Sequence, residues 1–487
     1  MDTQSTTETE TQAQAHVPSV DETQSTLYVP MKERIAFYIC GFLRDMSYAV
    51  WGNLTRFYID ILGFWGKWGW INAWLPVVER VYDGVNDPLI GAYFDGRKYG
   101  EHKARPFFRS TALPVAAALA LAFLCFNFSA DERANMLLRA AFALVAYMVY
   151  EGFQTLNATA HMSLYNSISP NLDERTGIVS RVRLFASGGT GLIGGITPVL
   201  LGRVASDDVQ GKKTILAGVA IFAALMYLVY NYIMYNKVHE RTIVPPEEKQ
   251  ALLPILLNIF RNKPFLIMMV ANAVGGLISA GNTGTYFYEY NLGDTGLQTW
   301  LGLAGIPAYI LSAYLTPWLC KRMEKRTLSL GCSAAQLAVS LLYLATGYRS
   351  RFHWKVILNT VLSSIPGSIK GTLYWNMVSD SVDYVEWKTG ERNDGMIFAV
   401  EGLTAKIIGA FGQVSTQLII RYTQFVPNAP AQTEATMRGL FRVPLLIGVA
   451  STLCSAIPYL FYDFSRRDQE LAVAEIQERK AAMGTEG

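Results

Sequence analysis

Long apolar stretches separated by short charged ones set the layout of this chain. A helix needs about 20 residues to cross roughly 30 Å of hydrocarbon, and windows of that kind fall at 34–61, 69–94, 107–129, 135–164, 180–204 and 213–236. A polar connector from Lys237 to Lys263 carries Pro245-Pro246 and mixed charge. Six more windows follow at 264–291, 297–320, 327–347, 355–379, 394–420 and 442–463. The pattern predicts an all-α membrane protein of twelve transmembrane helices in two six-helix bundles, 31–236 and 264–464, joined by the connector 237–263. Two such halves match the parallel-repeat plan of carriers whose substrate site lies between them near the bilayer midplane.

The flanks read differently. Residues 1–30 are rich in Thr, Gln, Ser and Glu, without the basic start and apolar run of a signal peptide, which predicts a disordered, uncleaved tail. In the tail 465–487, aliphatic and charged residues alternate over 468–483, as in a helix lying on the bilayer or one solvated all round.

Composition supports a polytopic membrane protein, with 51% hydrophobic and 17% charged residues. The net charge of +3, spread over short loops, excludes nucleic-acid binding. With the N-terminus inside, about 24 lysines and arginines fall in inner segments against about 11 outside, which puts both termini in the cytoplasm. The expected location is the plasma membrane, the inner membrane in a Gram-negative cell. The five cysteines have no paired spacing and read as buried fillers.

Ionisable groups inside apolar spans are costly and mark an ion or substrate path. In the second span Glu79, Asp83 and Asp87 recur every four residues and form one acidic stripe, with Arg80 close enough to neutralise one carboxylate. Carboxylates with nearby hydroxyls suit a hard cation. In the first span Arg44 and Asp45 point about 100° apart, so each is expected to meet a partner on another helix, and Asp45 to accept from substrate hydroxyls. The fourth span carries Glu151, Gln154, Thr155, Asn157, Thr159 and His161, a polar face in which Thr155 and Asn157 are the better cation ligands and His161 a packing group. Arg183 is a candidate partner for Asp45 or for a sugar hydroxyl. Lys406, near mid-membrane, needs a counter-charge, which the second span offers. Glu401 could carry protons, bind substrate or pair with a cation. Glu289 and Lys370 are expected to snorkel. Tyr374 and Trp375 could stack on a sugar ring or fill the core, and Trp65, Trp68, Trp70 and Trp74 read as an interfacial belt.

Two segments carry a resemblance. Asp83-Gly-Val-Asn-Asp87-Pro88-Leu-Ile-Gly91, continued by Asp95-Gly-Arg-Lys-Tyr-Gly-Glu-His-Lys-Ala-Arg105-Pro106, resembles a signature of the glycoside–pentoside–hexuronide:cation symporters, the melibiose-permease branch of the major facilitator superfamily. Asp380-Ser-Val-Asp383-Tyr-Val-Glu386-Trp-Lys-Thr-Gly390-Glu-Arg392, then Gly395 and Lys406, is similar to the signature before that family's eleventh helix. Phe57-Tyr58-Ile-Asp60 and Arg183-Leu-Phe-Ala-Ser187 agree more weakly. The resemblance implies the major facilitator fold. It implies that Asp83 and Asp87 bind Na⁺ or H⁺ with Thr155, that Asp45 and Arg183 contact sugar, and that Lys406 touches both networks. Gly91, Asp95, Arg105, Asp383, Glu386 and Arg392, with Arg80, would serve gating or structure. Where the family shows a proline and an aromatic after Asn157, this chain has Ala158-Thr159-Ala160, and Glu79 and Glu401 are additional acids.

The expected function is symport of a glycoside or related sugar with Na⁺ or H⁺ by alternating access, by a monomer that needs the bilayer and no other cofactor. A lipid or lysolipid carrier of the same superfamily is the nearest rival, and a non-transporting sensor on the same fold is a second. No acid, base and nucleophile assemble into an enzyme site.

Overall fold

The computed structural model describes residues 27–96, 104–169, 171–241, 262–281, 283–389 and 394–484. Among them every regular element is helical. The first half contains α1 (Met31–Trp51), α2 (Leu54–Asp60), α3 (Gly69–Gly96), α4 (Arg105–Ala122), α5 (Glu132–Ser167), α6 (Leu172–Leu201) and α7 (Val209–Lys237). The second contains α8 (Lys263–Leu277), a helical turn Gly284–Tyr286 running into a π-helical turn Phe287–Asn291, then α9 (Leu297–Cys320), α10 (Lys325–Thr346), α11 (Trp354–Thr389), α12 (Asp394–Tyr422) and α13 (Glu434–Tyr459). A final helix, α14 (Arg466–Gly484), follows.

Among the described residues these helices form twelve spans, two of them interrupted. The first is α1 and α2, broken at Gly52-Asn53; the seventh is α8, which ends at Leu277, and the two turns, with Gly281 at φ +57° in the break. Seven helices are long and apolar enough to cross a bilayer by composition alone. The first and seventh spans carry the breaks, α3 and α11 carry buried acids, and α4 begins with Arg105 and Arg109. Helix starts follow local chemistry: Asp131, Asp208, Asn262 and Thr433 each accept a backbone N–H of the first turn of α5, α7, α8 and α13.

Within the first half α1 packs on α6 and α7, α4 on α5 and α7, and α3 on α5. Residues Val29 to Val238 share one hydrophobic core. The α1–α6 contact is backbone on backbone, since a Cβ at Gly189 would lie 2.0 Å from the Phe42 carbonyl oxygen. The second half has its own clusters, around Phe265 and Met377, around Tyr343 and Phe441, and around Leu328 and Leu373. The halves meet along α3 with α12 and along α6 with α9.

Both ends of the described chain lie on one side, with Glu33 paired to Arg241 and Asp463 to Lys263. Before α1, the Tyr28 and Val29 N–H groups donate to Glu174 at 3.1 and 3.0 Å, and Arg34 pairs with the same carboxylate. Order therefore begins ahead of the helix, inside the stretch expected to be disordered. Burial pushes the Glu174 carboxyl up, but the Ser169 hydroxyl, these N–H groups and Arg34 together hold it below the usual carboxylate range. The tail helix α14 follows neither expectation. It docks on α11, with Ala472 fully buried, Trp387 Nε1 donating to Glu475 at 2.7 Å and Gln469 donating to Asp380 at 2.5 Å.

Candidate substrate and cation site

The acidic stripe of α3 faces the junction of the halves, as its helical period requires, but its two aspartates are not equivalent. Asp83 is fully buried. Both of its oxygens accept from the Tyr147 hydroxyl, at 3.1 and 2.9 Å, and Oδ2 also accepts from Arg80 Nη1 at 2.7 Å. Asp87, one turn on, keeps a side chain 35% exposed, accepts from the Thr155 hydroxyl at 3.1 Å and pairs with Lys406 of α12. The Lys406 Nζ also stands 4.0 Å from Asp83 Oδ2. One ammonium from the second half is thus flanked by two carboxylates of the first.

Two more acids share this field. Glu79, one turn before Asp83, is buried and meets the Tyr58 hydroxyl at 3.5 Å. Glu151 of α5 lies close enough to feel Asp83, Asp87, Arg80 and Lys406, with no ion pair among the described residues. Four carboxylates therefore face two cations. In a low-dielectric setting an excess of this sign calls for further positive charge, as a bound metal ion or as protons.

The polar face of α5 divides in two. Thr155 reaches the site, whereas Asn157 does not, which corrects its assignment as a cation ligand. Its amide donates to Thr111 and to Asn231, both at 2.7 Å, and its carbonyl accepts from Tyr230 at 3.0 Å. Both amide donors and the carbonyl are engaged by α4 and α7 inside the bundle, which turns the side chain away from Asp83 and Asp87. His161 packs as expected, between the hydroxyls of Tyr230 and Tyr165 at 3.1 and 3.2 Å.

Arg44 and Asp45 depart from expectation in part, since Arg44 still meets the Tyr165 hydroxyl of α5. They pair with each other, Nε to Oδ1 at 2.9 Å, because the long guanidinium arm spans the angular offset between neighbours. Arg183 is exposed and forms no ion pair among the described residues, although it and Asp45 both lie near the Tyr165 hydroxyl. Across the junction Trp375 is 54% exposed and packs edge-on against Tyr374, whose hydroxyl accepts from Asn272 at 3.2 Å. Glu401 is buried behind it, one oxygen accepting from the same Asn272 at 3.2 Å.

Neither residue expected to snorkel does so. Lys370 is half-buried and donates to Ser455 at 3.2 Å. Glu289 is buried against Arg56 and Lys212 of the other half, because the break in the seventh span turns it inward.

Of the residues assigned to gating or structure, Arg80 holds Asp83, while Arg105, Asp383 and Glu386 lie nearer the terminus side. Arg105 donates from Nε to the Tyr235 carbonyl at 2.6 Å and stacks over that ring, joining α4 to α7. A Cβ on Gly91 would meet open space. Glu386 is buried and Asp383 half-buried on α11, near Asp380, which holds Lys325 of α10. The side chain of Asp95 and the whole of Arg392 lie outside the described residues.

Sequence reasoning passed over Tyr147, the main partner of Asp83. Its signal was one residue wide: a tyrosine one turn from Glu151 on the same face of α5.

A family model described as MFS/sugar transport protein matches residues 35–466. A putative sulfoquinovose importer of Salmonella typhimurium is 26% identical over 476 residues, covering 93% of this chain and 94% of its own length. A putative glycoside/cation symporter of Escherichia coli, YagG, is 25% identical over 428 residues, covering 85% of this chain and 88% of its own. A solved D-xylose-proton symporter has a TM-score of 0.57 over 87% of this chain and 96% of its own at 12% identity, a likeness of fold alone.

Proposed function

Because this chain belongs to the MFS/sugar transport family, whose members are transporters and not enzymes, we propose that it carries a glycoside or related sugar together with Na⁺ or H⁺ by alternating access. One observation carries the coupling: the Lys406 ammonium lies between Asp87 and Asp83 across the junction of the halves. An ammonium is a monovalent cation, so its position supports a second monovalent cation binding there in its place. Asp87 is the accessible member, with the Thr155 hydroxyl beside it as a second hard oxygen. An arriving cation competes with Lys406 for Asp87, frees the lysine and weakens a bridge between halves. Asp83, held by Arg80 and Tyr147, acts as the fixed wall of the site.

Sugar is placed between the halves, against Trp375 and Tyr374 on one side and Asp45 and Arg183 on the other. A glycoside ring presents an apolar face to an aromatic and hydroxyls to a carboxylate or guanidinium fork. Cation and sugar each raise the other's affinity by the same factor, as linkage requires. The glycoside/cation symporter and the sulfoquinovose importer among the relatives support a sugar cargo. The charge asymmetry of the loops supports cytoplasmic termini in the plasma membrane, and the protein acts as a monomer.

The test is uptake into right-side-out vesicles of a glycoside panel, under an imposed Na⁺ gradient or pH gradient. Accumulation driven by one of the two gradients is the expected result. Asp87→Asn should remove that stimulation while sugar binding persists; unchanged Na⁺ and pH dependence in this variant overturns the proposal.

A further inference from the structure

On the side away from the termini, the two interrupted spans meet tip to tip. All seven residues of α2 are buried, although the segment carries both Arg56 and Asp60. Opposite it, the turns Gly284–Tyr286 and Phe287–Asn291 present Tyr286 and Glu289. Arg56 Nε donates to Asp60 Oδ2 at 3.0 Å, and the same guanidinium pairs with Glu289. Lys212 of α7 reaches Glu289 Oε1 at 2.8 Å, and the Tyr286 hydroxyl donates to Asp60 Oδ1 at 3.0 Å. Asn428, in the loop before α13, donates to the Asp60 carbonyl at 2.6 Å and accepts from Lys212 at 3.0 Å. Each of the four charged side chains is 8% exposed or less.

Four charges buried together are stable only while they neutralise and hydrogen-bond one another. The partition between halves is unequal. The first half supplies Arg56, Asp60 and Lys212, the second Glu289, so separating the faces leaves one net positive and the other net negative. Such a group holds strongly when dry and lets go once water reaches it. Around it Ile59 packs with Tyr286, Ile420, Phe425 and Leu440 of the second half, an apolar collar that keeps water out. Further along the same side, the Thr299 hydroxyl donates to the Gly195 carbonyl at 2.7 Å and ties α9 to α6.

We propose that α2 and the segment Gly284–Asn291 are the extracellular gate of this transporter, and that Arg56, Asp60, Lys212 and Glu289 are its latch. Any state that admits cargo from outside must part these groups, so latch strength sets how often the outer side opens. This rests on the alternating access and the sidedness proposed above, but not on the identity of the sugar or cation.

The experiment uses the full chain in right-side-out vesicles, with its five native cysteines replaced and one reporter, Ile59→Cys, inside the collar. The readout is the labelling rate by a membrane-impermeant maleimide applied outside. Glu289→Gln and Lys212→Gln are each expected to speed labelling about tenfold, and the double change Glu289→Gln with Lys212→Gln, which removes one charge of each sign, to speed it by less than the product of the two. A Cβ at Gly195 would lie 3.2 Å from Thr299 Cγ2, within reach of a disulfide. Cysteines at Gly195 and Thr299, oxidised in the Glu289→Gln background, should restore slow labelling, and dithiothreitol should release it. Labelling unchanged in both single variants, faster only from the inner face, or still fast after complete cross-linking overturns the latch. Because no sugar enters the labelling assay, failure of the substrate reading leaves these outcomes intact. Should Glu289→Gln not reach the membrane, Lys212→Gln, alone and with the Gly195–Thr299 cross-link, carries the same comparison.

Discussion

Two buried groups of charge bridge the halves of this protein, one near mid-membrane and one on the side away from the termini. The outer group sets Arg56 and Lys212 against Asp60 and Glu289 and is neutral by itself. The central group sets Arg80 and Lys406 against Glu79, Asp83, Asp87 and Glu151, leaving carboxylates in excess. Both solve the same problem, the high cost of charge away from water. A self-neutral group needs nothing from solution and serves as a mechanical contact. A group short of positive charge is completed only from outside, which is the basis for the cation coupling proposed above. Exposure follows the same division: the outer four are sealed, whereas Asp87 and Lys406 remain about one-third open.

The comparison breaks most sharply at its accessible acids. Asp87→Asn should lower cation-driven uptake by at least about a hundredfold, to the level of vesicles without the protein. Glu289→Gln should leave the choice of coupling ion unchanged. A Glu289→Gln variant that switched ion dependence would erase the distinction.

Stability gives the next largest contrast. Arg56→Gln leaves Asp60 and Glu289 to share Lys212 alone and should cost about 3–5 kcal/mol, read by denaturant unfolding in detergent. The double change Arg56→Gln with Glu289→Gln should cost less than the sum of its parts, and strict additivity would argue against a coupled pair.

Removing the competing lysine tests the central group from the other direction. Lys406→Gln raises the negative excess and should tighten cation binding roughly tenfold, seen as a larger thermal stabilisation by Na⁺ or by low pH. Lys212→Gln should not change cation binding at all.

The smallest effect belongs to Glu174, a control outside both groups. Its folded carboxyl lies below the ordinary range. It therefore contributes stability above the unfolded value near 4.3, and that contribution is lost as pH falls through the depressed folded value. Glu174→Gln should remove about 1–2 kcal/mol at neutral pH and flatten the acid limb of the stability profile.

Much of the central group was legible in the chain. A four-residue spacing puts Asp83 and Asp87 on one face whatever surrounds them, and a mid-span lysine implied a counter-charge elsewhere. The outer group was harder to see, although Arg56 and Asp60 stand four apart in an apolar run. Their partner Glu289 is 233 residues from Arg56 along the chain, and nothing in its own neighbourhood marks it as buried. Asn157 misled for a related reason: a polar residue on a helix face is a ligand or a packing group depending on which helix covers it, and here α4 and α7 do.

From its residues alone the chain determined the spans, the two-half layout and the acidic stripe, because hydropathy and helical period act over a few residues. Only the tertiary structure decided that Asp83 is sealed and Asp87 open, that Arg44 turns to its own neighbour, and that the broken first and seventh spans meet over four charges. Those outcomes depend on which helices touch, and the energy of a buried charge is set by whatever stands within a few ångströms of it, however distant in sequence.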